Sequence, residues 1–190
     1  MTSAWDLIRS ERTGQVGQRP LVEKAFLMPD GSQAVFTVTG DASTRAVACV
    51  ALTPRRTAVV AEQYRPGPER VMTELPGGGV EDGESLAQAA ARELAEETGY
   101  VPADLTYLGE MCYDAYFGGS RSYFLATGCE RRQAQELDPA EFVTVREVAL
   151  GDLVTLAMTG GMTDPGGVLL ALPHLMSDPG VRQLFPCGPR

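Results

Sequence analysis

The stretch Gly77–Tyr100, GGGVEDGESLAQAAARELAEETGY, reads as a loop that runs into a well-capped helix. Ser85 stands at the N-cap position with Gln88 three residues later, the capping-box pattern in which side chain and backbone satisfy each other. Ala87, Ala90, Ala91 and Leu94 recur at helical spacing and predict one apolar stripe. Gly99 supplies the stop, because glycine enters the left-handed conformation that ends many helices. Glu93, Glu96 and Glu97 then crowd the last turn and a half, within an arc of about 100° on one face. Like charges at this spacing cost a few tenths of a kcal/mol per pair, and the negative end of the helix dipole disfavours them further.

One explanation is a solvated acidic face on an acidic chain, since 25 Asp plus Glu against 16 Lys plus Arg leave a net charge of −9. That explains acids in general. It leaves unexplained the flanking glycines, Glu84 just before the cap, and Arg92 inside the cluster. The better explanation is that a divalent cation relieves the repulsion, because hard ions such as Mg²⁺ take oxygen ligands and are held by a few carboxylates together with substrate phosphates.

The stretch resembles the signature of the Nudix hydrolases: Gly, five residues, Glu, seven residues, then Arg-Glu-aliphatic-any-Glu-Glu-any-Gly-aliphatic. Gly78, Glu84, Arg92, Glu93, Leu94, Glu96, Glu97 and Gly99 stand at those offsets. Tyr100 departs from the final aliphatic position. The resemblance implies an α/β fold, the Nudix-type α/β/α sandwich with a mixed β-sheet, and metal-dependent hydrolysis of a nucleoside diphosphate linked to another group.

Further features are similar to the ADP-ribose and ADP-sugar pyrophosphatase branch. Glu62-Gln63-Tyr64-Arg65-Pro66 followed by Glu74-Leu75-Pro76-Gly77-Gly78 matches its pattern, as does Gly160-Gly161-Met162-Thr163-Asp164. The branch's alanine before the signature glycine is Gly77 here, and Tyr116 stands where many ADP-ribose enzymes carry a proline. The leading strands also look like that branch, in which they help build a homodimer. The expected division is therefore residues 1–45 as an N-terminal β-hairpin extension that dimerises, and 46–190 as the hydrolase domain. Alternative activities on the same scaffold are hydrolysis of nucleoside triphosphates or dinucleotide polyphosphates, or nucleotide sensing without catalysis.

Glu93 and Glu97, one turn apart, are the first candidates for metal ligands, with Glu96 beside them on the same or a second ion. Glu84 enters from the loop and reaches the metal through water. Arg92 holds the glutamates, since a guanidinium fork bonds a carboxylate through two parallel hydrogen bonds. Gly77 and Gly78 let the backbone approach an ion or a phosphate, with the Gly77 carbonyl as a further ligand. Hydrolysis also needs a base to activate water. The resemblance places it in the loop before the last strand, where Glu141 matches a metal-binding glutamate and Glu136 and Asp138 are candidate bases. Arg65 is placed to pair with a diphosphate, and Tyr116 and Phe117 to stack on a nucleobase. The expected cofactor is Mg²⁺, with Mn²⁺ as a substitute.

The rest of the chain sets limits. At 190 residues it suits one domain with a full core and a small extension. No apolar run reaches the roughly 20 residues of a membrane span, and MTSAWDLIRSERTG lacks the pattern of a secretory signal. Net acidity argues against nonspecific nucleic-acid binding. Cys49, Cys112, Cys129 and Cys187 form no CxxC pair, so reduced thiols in a cytoplasm are expected.

Strands are predicted over Leu21–Leu27 and Gln33–Thr39 as a hairpin about Pro29-Asp30-Gly31, then over Ala46–Leu52, Thr57–Gln63 and the segment ending Thr73-Glu74-Leu75. Leu105–Tyr113, Ser122–Thr127 and Phe142–Val148 follow as strands, and Gly151–Met158 and Val168–Met176 as helices. The tail from Asp178 reads as irregular, and His174 as structural.

Overall fold

The structure, a computed structural model, describes residues 4–112, 114–139 and 141–185. The chain divides into two compact units: the described residues of Met1–Arg45 with Met111–Arg121, and those of Ala46–Glu110 with Ser122–Arg190.

The first unit is built on an antiparallel sheet of β1 (Asp6–Val16), β2 (Arg19–Leu27) and β3 (Gln33–Thr39) in that order. The expected hairpin is present, with Leu27 opposite Gln33 and Gly31 N–H closing the turn on the Met28 carbonyl at 2.9 Å. β1 lies outside every strand expected, because its charged and polar residues mask any alternation. All eleven of its residues are exposed, Leu7, Ile8 and Val16 among them. The segment Met111–Arg121 joins this unit through Thr39, whose N–H donates to the Tyr116 carbonyl and whose carbonyl accepts from Gly118 N–H, both at 2.9 Å.

The second unit holds a six-stranded sheet. Along it run β11 (Thr144–Ala149), β5 (Thr57–Arg65), β4 (Arg45–Leu52), β9 (Ser120–Thr127) and β8 (Asp104–Met111), while β6 (Arg70–Glu74) also pairs with β5. β4 takes the first half of β5, with Leu52 opposite Ala58, and β6 takes the second half, with Ala61 opposite Glu74. The chain leaving β6 must then run past the start of β4. It does so as the glycine loop: Cys49 N–H donates to the Pro76 carbonyl at 2.8 Å and Val47 N–H to that of Gly78 at 2.9 Å.

Helix α1 (Leu86–Thr98) begins at Ser85 with both halves of the capping box in place and ends at Gly99, whose φ of 76° is left-handed. Its buried stripe corrects the one read from sequence. Ala89, Ala90 and Leu94 are buried, whereas Ala87 is exposed and Ala91 only half-buried. These three pack on Val47, Cys49, Ala51 and Val59 of the sheet. Burying a side chain such as Leu94 contributes roughly 2 kcal/mol. Residues 48 and 50 of β4 point the other way by strand alternation and are equally buried. On that side Gly167 sits against Leu75 and Tyr123, bringing α3 (Pro165–Leu175) to the sheet beside α2 (Leu150–Thr159). Helices thus cover both faces, the α/β/α arrangement expected.

Two short strands, β7 (Tyr100–Val101) and β10 (Glu130–Arg131), pair with each other, and a fourth helix, α4 (Pro179–Leu184), occupies the tail read as irregular. Asp178 caps that helix by accepting from Gly180 and Val181 N–H, so it is the Pro and Gly content that misleads there. Tyr100, the departure from the signature, donates its hydroxyl to Glu147 at 2.8 Å. Thr57, Tyr100 and Arg55 together hold the Glu147 carboxyl below its usual range. A polar tip on a bulky ring therefore suits this position better than an aliphatic residue. His174 lies exposed in the last turn of α3. Cys49 and Cys129 are buried free thiols, Cys112 is exposed and free, and Cys187 lies outside the described residues. Among the described residues no helix is long and apolar enough to cross a membrane.

Candidate active site

Arg92 organises the acidic end of α1. Its Nε and Nη2 fork onto the two oxygens of Glu84, both at 3.0 Å. Nη1 donates to Glu93 at 3.0 Å and to Glu96 at 2.9 Å, and Nη2 also donates to the Gly79 carbonyl at 2.9 Å. A guanidinium has five N–H donors, and these five bonds engage all of them. Arg92 thus has none left for a substrate, and its part here is to fix three carboxylates and the loop. Glu84, expected to reach a metal through water, is committed to this fork.

Glu97 sits deeper. It is 8% exposed and accepts the Gly77 N–H at 2.9 Å. Burial pushes its carboxyl up to about 8; the Gly77 hydrogen bond opposes this, and the charges of Glu93, Glu141 and Glu74 add to it. Burial raises Glu93 as well, against the pull of Arg92. Gly78 packs so closely on Glu93 that a Cβ there would stand 2.4 Å from its carboxylate oxygen. Because pairing with β4 takes the carbonyls of Pro76 and Gly78, the Gly77 carbonyl between them faces away from β4 by the alternation of an extended chain.

Of the three loop acids, Glu141 is the one whose charge reaches both Glu93 and Glu97. Glu136 and Asp138 are exposed; Glu136 N–H donates to the Glu96 carbonyl at 2.8 Å and Asp138 N–H to the Glu141 carboxylate at 3.2 Å. Arg65 forks onto Glu74, which is 6% exposed. Glu74 and Asp164 stand in the sequence motifs with no role read for them there, and both are buried, Asp164 at 2% exposure. For Glu74 the local signal is an acid that closes the β6 strand before the glycine loop. Tyr116 and Phe117 belong to the other unit, where Tyr116 is exposed beside the Phe36 ring and Phe117 is buried.

Among the described residues no three carboxylate, thiol or imidazole side chains converge as a ready-made cage. The donor chemistry nevertheless fits a hard divalent cation. Glu93 and Glu97 are oxygen donors whose ionisation is opposed by burial and by neighbouring acids, and a cation would relieve both. Mg²⁺ in particular is commonly held by one or two carboxylates plus substrate phosphates, so a protein-only cage is not required.

Residues 42–166 match the NUDIX domain, which spans the sheet, the glycine loop and all of α1. The chain belongs to the Nudix hydrolase family. It is 37% identical over 113 residues to an ADP-ribose pyrophosphatase of Bacillus subtilis, a match covering 58% of this chain and 61% of that protein. Over 109 residues it is 35% identical to a methanol dehydrogenase activator of Bacillus methanolicus, covering 56% of this chain and 59% of the relative. An ADP-sugar pyrophosphatase of Mus musculus is 30% identical over 103 residues, covering 51% and 47%. The chain thus matches less than two thirds of the length of each. In fold it is similar to a crystal structure of an ADP compounds hydrolase, with a TM-score of 0.79 at 19% identity, over 95% of this Nudix chain and 99% of the other.

Proposed function

We propose that this Nudix chain hydrolyses the pyrophosphate bond of ADP-ribose or an ADP-sugar, releasing a nucleoside monophosphate and a sugar phosphate. The observation that carries the reading is that Arg92 commits its five donors to Glu84, Glu93, Glu96 and Gly79, while the buried Glu97 accepts from Gly77 N–H and its carboxyl is still pushed up to about 8. The choice of substrate is supported by the names of the Bacillus subtilis and mouse relatives. Glu93, Glu97 and Glu96 would hold Mg²⁺ or Mn²⁺, with the Gly77 carbonyl and Glu141 as further ligands. Such an ion supplies charge neutralisation on the phosphates and a lowered pKa for bound water.

The chain's own residues do the rest. Arg92 keeps Glu93 and Glu96 in fixed rotamers, so that no reorganisation is needed when charge develops. Gly77 N–H orients the Glu97 carboxylate through Oε2. The proton of the attacking water goes to an exposed acid of the same loop, Glu136 or Asp138, while Glu141, whose charge reaches Glu93 and Glu97, serves as the ligand. A panel of ADP-ribose, ADP-sugars, dinucleotide polyphosphates and nucleoside triphosphates tests the assignment. Turnover of ADP-ribose or an ADP-sugar in Mg²⁺, giving AMP, is expected; turnover of triphosphates or dinucleotides alone would overturn it.

The same reading includes a homodimer built with residues 20–50 and the strand before them. β1 is an edge strand, exposed along its length and paired with β2 on one side, so a second copy can pair with its free edge and cover Leu7, Ile8 and Val16 among its charged residues. Sedimentation at micromolar concentration should show a dimer that deletion of β1–β3 dissociates. A monomer at that concentration would contradict the assignment.

A further inference from the structure

The loop that carries Glu141 is tied to the end of α1 by backbone hydrogen bonds and, at Glu97, by the side chain of Gln135. A helix leaves its last carbonyls without intrahelical partners, and here the loop after β10 supplies them. Glu136 N–H donates to the Glu96 carbonyl at 2.8 Å, and the Gly99 carbonyl accepts from Arg132 and Gln133 N–H at 2.9 and 3.3 Å. The Glu97 carbonyl takes its donor from a side chain: Gln135 Nε2 lies 2.7 Å away. The same nitrogen donates to the Val143 carbonyl at 3.2 Å, which engages both hydrogens of the amide. Val143 is two residues past Glu141. Glu141 is itself locked into a small turn, with its N–H on the Asp138 carbonyl at 2.9 Å and its carboxylate accepting from Asp138 N–H.

One amide thus joins the backbone of the buried helix glutamate to the backbone beside the loop glutamate. We propose that Gln135 is a positioning residue, whose two hydrogen bonds hold Glu141 at a fixed reach from Glu93 and Glu97 and so set the affinity of the site for a divalent cation. The inference rests on the reading above, in which these glutamates bind the ion. Gln135 itself touches neither ion nor substrate. A plain helix cap would contribute to stability and leave the ion's affinity alone; a positioning residue changes that affinity through Glu141.

A double-mutant cycle separates the two. Mn²⁺ affinity, read from the paramagnetic resonance of the free ion, is measured for wild type, Q135M, E141Q and Q135M/E141Q, with melting in chelator as the control for folding. Gln135→Met keeps the length and removes both donors. Each single change should weaken Mn²⁺ binding by roughly 10-fold, and the double variant should be no weaker than the weaker single one, because both remove the same contribution. Q135A serves as a second variant should Q135M melt below the assay temperature, with the same result expected. Wild-type Mn²⁺ affinity in the folded Gln135 variants overturns the proposal, as do single effects that multiply in the double variant. A wild-type chain that binds no Mn²⁺ overturns it too. If the cycle comes out as expected while no substrate of the panel is hydrolysed, the proposed reaction falls and the role of Gln135 stands.

Discussion

Glu97→Gln lowers turnover by roughly 100-fold or more, since it removes a ligand that acts on charge developing in the transition state, and in metal-free buffer at pH 8 it makes the chain more stable. The second half follows from burial. The Glu97 carboxyl is pushed up to about 8 in the fold, against the ordinary 4.5. Between those two values the folded chain keeps a proton that the unfolded chain has released. Stability is therefore fully present below about pH 4.5 and is lost as the pH rises toward 8. Glutamine does not titrate, so in chelator the variant should lack that decline and exceed wild type at pH 8 by more than about 1 kcal/mol. Saturating Mg²⁺ reverses the order, because binding to the folded state stabilises wild type and stabilises the variant less. Melting curves at pH 5 and pH 8, with chelator and with Mg²⁺, together with one rate, check each part. An acidic face that is merely solvated would show no metal-dependent difference and an unchanged rate.

The two neighbouring glycines should fail in different ways. A Cβ on Gly78 would meet the Glu93 carboxylate at 2.4–2.5 Å, and that carboxylate is the far end of a flexible side chain. Gly78→Ala should therefore fold, losing about 1–2 kcal/mol as Glu93 gives up its hydrogen bond from Arg92, and the displaced Glu93 should lower turnover roughly 100-fold. A Cβ on Gly77 would stand 2.2 Å from the Val47 carbonyl oxygen and 2.6 Å from Ala48 Cα, which are backbone atoms of a central strand. Gly77→Ala should cost about 3 kcal/mol, an overpacking penalty with no side chain free to yield. Denaturant unfolding of both variants and the rate of G78A separate these outcomes. Wild-type turnover by G78A would show that Glu93 is not needed where it stands.

What was legible in the sequence were the features carried by local pattern. The capping box, the left-handed Gly99, the hairpin about Asp30 and the apolar runs of β4 and β5 all depend on neighbours within a few residues, and each is found. β1 was illegible because its sequence carries too many charges to mark a buried face, and the structure indeed buries none of it. α4 was hidden by Pro179 and Gly180, residues that break a helix interior but suit its first turn. At the site, the crowding of Glu93, Glu96 and Glu97 was visible, and so was the holding role expected for Arg92. Invisible were the long-range facts: that Glu97 is the buried one, that Glu74 adds its charge to it, and that Arg65 is bound to Glu74. These depend on β6 and the glycine loop running back along the sheet, which no spacing within α1 encodes.

The central claim is that the acidic end of α1 exists to hold a divalent cation for pyrophosphate hydrolysis. Its most direct test is the initial rate of ADP-ribose hydrolysis by the wild-type chain as Mg²⁺ is titrated into a chelator-treated sample. The account predicts no turnover before addition and a saturable rise to full rate, with AMP as product. Turnover undiminished in chelator, or none at any Mg²⁺ or Mn²⁺ concentration, would contradict it.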